Sequence, residues 1–196
     1  MAGSSGPKDV VLVIDVSGSM DDYGRMGLAK NAATTIIDTL TVADRVAIIA
    51  FSGEATQIGD IGNASSLIRA TAENKRVLID AINELEANGA TNFYAAFEKA
   101  FGALDNTIRN EATSGCNIAV LFLTDGQITE GPKEDEVISL VNNRTAQLAE
   151  DFNRKTTIFT FSLGYQADHT VTKSIACATT GIWTPVEDFS DDLVKE

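Results

Sequence analysis

Four apolar runs limit what this chain can become. "DVVLVID" (9–15), "RVAIIAF" (45–51), "NIAVLFLTD" (117–125) and "TTIFTFSLG" (156–164) are rich in Val, Ile and Phe. The first three are nearly continuous rather than alternating, as expected of parallel strands covered on both faces. Parallel neighbours cannot be joined by a tight hairpin, so each needs a long crossover, usually helical and right-handed. The intervening segments have that character. Leu28, Ala32, Ile36 and Leu40 step by four, with Ala33 and Ile37 widening the stripe. Leu78, Ala81, Ile82 and Leu85 make a second face, and Phe93, Phe97, Ala100, Phe101 and Leu104 a third. Val137, Leu140, Val141, Leu148 and Phe152 make a fourth, opened by "GPKEDE" (131–136), where proline and acids suit a helix N-terminus. "EATQIGDI" (54–61) is weaker and more polar, which suits an antiparallel edge strand. "GIWTPV" (181–186) reads as a last strand, which Pro185 confines to an edge or a strand end. The expected class is α/β: a doubly wound, Rossmann-like, mostly parallel central sheet with one antiparallel edge strand and helices on both faces.

At 196 residues the chain suits one well-packed domain. "MAGSSG" (1–6) reads as a cloning remnant, leaving 7–196 as a single domain taken from a longer protein, with "DDLVKE" (191–196) resembling a clipped helix. No segment approaches the ~18–20 uninterrupted apolar residues of a membrane span. A net charge of −13 repels a phosphate backbone, so nucleic acid is not an expected partner. Cys116 and Cys177 are too far apart for a C-x-x-C motif. They could join in one disulfide, pair with a part of the parent chain, or stay as buried thiols.

In doubly wound sheets, ligands bind outside the carboxyl ends of the strands, where the winding reverses. Asp15 and Asp125, read as the last residues of two buried strands, fall at one mouth, and Thr91 in "NGATNFY" (88–94) can join them from a loop. Alternate residues of an extended turn point the same way, so Asp15, Ser17 and Ser19 in "DVSGS" (15–19) can converge on one small object. An oxygen-only set with no His or Cys indicates a hard divalent cation, Mg²⁺ foremost, with Ca²⁺ or Mn²⁺ as alternatives. Two carboxylates roughly balance its charge, the hydroxyls of Ser17, Ser19 and Thr91 fill further positions, and room remains for an outside ligand.

At these residues the sequence resembles the von Willebrand factor type A domains. Their signature is Asp-x-Ser-x-Ser after the first strand, a threonine in a second loop and an aspartate after the fourth strand. "DVSGS" (15–19), Thr91 in "GATNF" and Asp125 in "FLTDG" match it, across a resemblance spanning roughly 8–194. The resemblance implies a metal-ion-dependent adhesion site completed by a partner protein's Asp or Glu carboxylate. Within the family, "PKDVVLVIDVSGSM", "CNIAVLFLTDG", "IFTFSLG" and "IACATTGIWTPV" are most similar to the module of the alpha-2-delta calcium-channel subunits and their Cache-domain relatives. That resemblance implies a place outside the cell, contacts with other domains of the parent chain, and a Cys116 that bridges to a distant part of it.

Plainer readings stand beside these. Asp15, Ser17 and Ser19 could cap a helix, although one residue would suffice. Thr91 could be an ordinary cap, and Asp125-Gly126 an ordinary turn. Asp21 and Asp22 read as a solvated acidic turn, His169 in "QADHT" as a surface loop residue, and Trp183 as a packed edge-strand side chain. The sequons "NAS" (63–65) and "NRT" (143–145) lean weakly towards export. A Mg²⁺-dependent phosphoryl-transfer enzyme is a rival, but Ser17 stands where such enzymes carry a second acid, and a serine is no general base near neutral pH. Ligand binding therefore ranks first, a structural module whose metal only orders loops second, and an enzyme third.

Overall fold

The computed structural model describes residues 6–59, 66–164, 167 and 169–187. The elements run β1 (Lys8–Asp15), α1 (Arg25–Thr39), β2 (Arg45–Phe51), β3 (Ala55–Ile58), β4 (Ile68–Arg69), α2 (Ala72–Asn83), α3 (Phe93–Arg109), β5 (Asn117–Thr124), α4 (Glu134–Phe152), β6 (Thr156–Leu163), α5 (His169–Ala178) and β7 (Ile182–Val186). The sheet order is β3-β2-β1-β5-β6-β7. β1 pairs in parallel with both β2 and β5, β5 with β6, and β6 with β7. The antiparallel edge is built from two pieces, since β3 and the two-residue β4 both pair with β2. β7 closes the other edge and carries Pro185 there.

β1 is the pivot of this winding. From it the chain moves outward to β2 on one side and later to β5 on the other, so its carboxyl end is the switch point. Alternation divides its side chains between two cores. Val10, Leu12 and Ile14 pack with Ala29, Ala33 and Ile37 of α1 and Leu78 and Ile82 of α2. Val11 and Val13 face Phe93, Phe97 and Phe101 of α3, Val137 and Val141 of α4, and Val171 and Ile175 of α5.

Several local features differ from the sequence reading. The buried stripe of α1 is Met26, Ala29, Ala33 and Ile37, with Leu28, Ala32 and Ile36 only flanking it. Both rows have helical spacing, and the choice of row belongs to the sheet it packs on. Leu85 lies beyond the end of α2, and Pro132 lies before the residue that starts α4. His169 opens helix α5 rather than sitting in a loop, and its ring stands edge-on to Trp183. Trp183 is half-buried and donates from Nε1 to Ser162 Oγ, the packed role expected of it. Both cysteines are free and exposed, which removes the buried-thiol alternative and shows no bond between them. Residues 63–65 and 191–196 lie outside the described residues.

Phe93 ties the sheet to the loop that precedes α3. Its ring meets those of Phe51 and Phe122 edge-on, at 5.9 and 4.8 Å between centroids, two residues after Thr91. Truncating a fully buried phenylalanine removes apolar contact and leaves a cavity. Phe93→Ala is therefore expected to cost about 3–5 kcal/mol, read as a lower midpoint in urea unfolding.

Candidate metal centre

The site grows from the end of β1. Asp15 has no exposed surface, and its carboxylate accepts from the Ser17 N–H (2.8 Å) and the Thr124 hydroxyl (2.5 Å). Ser17 is extended, with φ −64° and ψ 163°, so Asp15 and Ser17 follow the expected alternation. Ser19 does not. The chain turns at Gly18 into a 3₁₀ segment, Gly18–Gly24, and this turn brings the Ser19 hydroxyl to 3.3 Å from that of Ser17. Ser17 occupies the N-cap position of that segment but makes no capping bond with its side chain. Capping is thus not what its hydroxyl does.

Backbone hydrogen bonds tie three loops around this point. Val16 N–H donates to Phe51 O (2.8 Å), Gly18 N–H to Gly89 O (3.0 Å), and Asn88 N–H to Val16 O (2.7 Å). The loop after β5 is joined in turn, because Thr129 and Glu130 both donate to Thr91 O, at 3.0 and 3.1 Å. Thr91 N–H returns a bond to Thr129 Oγ1 (2.8 Å). The cap of α3 is Asn92, whose Oδ1 accepts from Ala95 N–H (3.1 Å), so Thr91 is relieved of the capping role. Asp125 lies one residue beyond β5.

Ser19, Thr91 and Asp125 line one open cleft of about 330 Å³ together with Asp22, Tyr23, Arg25, Gln127 and Thr129. Asp15 and Ser17 lie buried behind Ser19. Asp22, read as solvated, is exposed and also lines the cleft. Sequence reasoning gave Arg25 no part in the site. It is buried and donates from Nη1 to Asp125 Oδ2 at 3.0 Å. A lone arginine beside the apolar start of α1 was the available signal, but nothing local names a partner 100 positions away.

Burial, chiefly, pushes the Asp15 carboxyl up to about 6, and the nearby Asp125 adds to the rise. Hydrogen bonds from Ser17 and Thr124 oppose it without cancelling it. A buried carboxylate that even good donors cannot restore to its ordinary acidity is short of positive charge. Beside it stand a second carboxylate, hydroxyls and no imidazole or thiolate among the cleft-lining residues. Those donors fit a hard divalent cation.

A sheet whose winding reverses at a strand ending in Asp-x-Ser-x-Ser, with a threonine loop and a second aspartate beside it, defines a doubly wound α/β domain with an oxygen-lined cleft at its switch point. Residues 10–127 match the von Willebrand factor type A domain model, and the chain belongs to that family. It is 32% identical over 182 residues to human voltage-dependent calcium channel subunit alpha-2/delta-2. That alignment spans 92% of this chain and 14% of the relative, so the chain corresponds to about a seventh of that protein. Among solved structures, a von Willebrand factor type A protein from Catenulispora acidiphila superimposes with a TM-score of 0.76 at 24% identity, over 94% of this chain and 39% of that one. Proximal thread matrix protein 1 from the mussel byssus, solved with a zinc-occupied MIDAS motif, superimposes with a TM-score of 0.61 at 19% identity, over 97% of this chain and 44% of that one. Both structural likenesses concern the fold.

The weakened acidity of Asp15 has a consequence for stability without added metal. The folded state holds the Asp15 proton up to about pH 6 and the unfolded chain only to the ordinary carboxyl value of 3.8. Between these values the folded state binds more protons, so stability falls as pH rises through the window. In EDTA, going from pH 4 to pH 7 should cost the wild type up to about 3 kcal/mol more than Asp15→Asn, measured by urea unfolding.

Proposed function

We propose that this domain binds a divalent cation at Asp15, Ser17, Ser19, Thr91 and Asp125 and, through it, the Asp or Glu carboxylate of a partner protein. The observation that carries this reading is a pair of buried aspartates, Asp125 in the wall of an oxygen-lined cleft and Asp15 behind it. The cation would supply the positive charge that Asp15 lacks and a point of attachment for an incoming carboxylate. Mg²⁺ suits the all-oxygen set best, and Ca²⁺ and Mn²⁺ suit it too. The zinc-occupied motif in the mussel protein supports a divalent ion in this fold without choosing among them.

A domain of net charge −13 repels an acidic ligand, so attachment without metal should be very weak. With metal, the carboxylate gains a local attraction while still losing water and mobility on docking. Tyr23, Asp22, Gln127 and Thr129 line the same cleft and would meet whatever surrounds that carboxylate. The similarity to alpha-2/delta-2 supports a module that works outside the cell against a separate protein or other domains of its own chain. Asn143 of the second sequon is exposed on α4, in keeping with an exported domain. A metal serving only to order loops is the second reading. It is weakened by the backbone hydrogen bonds that already join the three loops.

Millimolar Mg²⁺, Mn²⁺ or Ca²⁺ should raise the melting temperature relative to EDTA, with about 2.7 kcal/mol gained at a hundredfold excess over Kd. Ser17→Ala should shrink that gain while leaving the metal-free circular dichroism spectrum unchanged. Identical melts in EDTA and in all three ions would remove the site.

Binding to candidate partners should appear with Mg²⁺ and vanish both with EDTA and in Asp15→Ala. Binding that survives both treatments would hand the case to the scaffold reading.

A further inference from the structure

Arg25 is in an unfavourable place for a cation. It is the first residue of α1, where the helix presents its positive end, and it is only 7% exposed. A guanidinium held there needs an anion, and the ion pair to Asp125 supplies one. The surrounding chain is shaped to hold it. Tyr23 and Gly24, with φ of 52° and 69°, turn the backbone through two successive left-handed residues immediately before Arg25. The Tyr23 ring lies 5.1 Å from the guanidinium carbon. On another side is Gly164, at φ +104°, just after β6. A Cβ at Gly164 would stand 2.7 Å from Nε and Nη2 of Arg25, so the glycine leaves the space that the guanidinium occupies. Segments before α1, after β5 and after β6 therefore meet on one charge.

We propose that Arg25 is a built-in counter-charge that sets the balance of the site: it weakens the hold on the cation and strengthens the pull on the partner's carboxylate. This rests on the cation reading above and concerns how that site is tuned. Asp15 and Asp125, both ionised, would neutralise a divalent ion, leaving nothing to draw a carboxylate towards a strongly acidic domain. Arg25 takes part of the Asp125 charge, so the loaded cluster of two aspartates, one arginine and one divalent ion carries a net charge of +1. The same arginine competes with the ion for Asp125 and repels it. Loss of Arg25 therefore moves two affinities in opposite directions, which simple loss of packing does not do.

The test uses the whole chain with Mn²⁺ as the metal probe and acetate as the carboxylate probe. Mn²⁺ affinity is read by electron paramagnetic resonance, and acetate by its displacement of water from bound Mn²⁺ in proton relaxation. Arg25→Met should bind Mn²⁺ about tenfold more tightly, and should need about tenfold more acetate for the same displacement. Arg25→Lys, which keeps the charge, should stay within a few-fold of wild type in both. Should Arg25→Met be destabilised in EDTA, melts with and without the same Mn²⁺ concentration give the answer, because the gap should be wider than in wild type. Unchanged or weaker Mn²⁺ affinity in Arg25→Met, an unchanged acetate midpoint, or an unchanged melting gap overturns the proposal. A wild type that takes up no Mn²⁺ defeats the cation reading itself, and this inference with it. Failure confined to the Arg25 variants leaves that reading standing.

Discussion

Asp15 is a carboxylate set at the end of a strand whose five preceding residues, Val10 to Ile14, are all apolar and buried. Ionising a group there without compensation is costly, and the neighbouring structure can be understood as a response to that cost. Thr124, the last residue of the adjacent strand, donates its hydroxyl across the sheet. The turn after Val16 brings the Ser17 N–H back onto the other oxygen. Even so the carboxyl stays less acidic than usual, because the layers of Val, Leu and Ile beneath it exclude water. A site left in that state has a standing preference for added positive charge.

The same apolar layers make the site precise. Parallel strands in register place the ends of β1 and β5 side by side, with Ile14 opposite Leu123. The aromatic cluster of Phe51, Phe93, Phe97 and Phe122 then fixes the start of α3 against them. Because Phe93 follows Thr91 so closely, packing energy in the core becomes positional accuracy at the mouth. The backbone bonds among the three loops finish the task, and they involve main-chain groups that only a proline substitution would remove.

Charge works on two scales here. Taken as a whole the chain is strongly acidic, with a net charge of −13, which makes it unattractive to anions. Within the mouth the balance depends on a few groups, and Arg25 is buried among them. A ligand that carries a carboxylate would therefore sense the cluster only at close range, since salt screens charges beyond roughly 10 Å at 0.1 M. Family membership supplies a frame for this arrangement but not a partner, because the chain matches only about a seventh of alpha-2/delta-2.

Much of this was legible in the sequence because it is local. Continuous apolar runs identified the parallel strands, stepping by three and four identified α1 to α4, and polar composition identified the antiparallel edge. Strand ends carry their polarity with them, so Asp15, Ser17, Ser19, Thr91 and Asp125 could be assigned to one end of the sheet before any contact was known. What remained hidden depended on which elements became neighbours. The stripe of α1 that is buried, the 3₁₀ turn that delivers Ser19, and the cap on Asn92 rather than Thr91 were decided by packing and backbone geometry. The hydrogen bond from Thr124 to Asp15 spans 109 positions, and the ion pair from Arg25 to Asp125 spans 100. Spacing along a chain carries no record of such pairs, because they exist only once the sheet order has brought β1 beside β5 and the first turn of α1 over both.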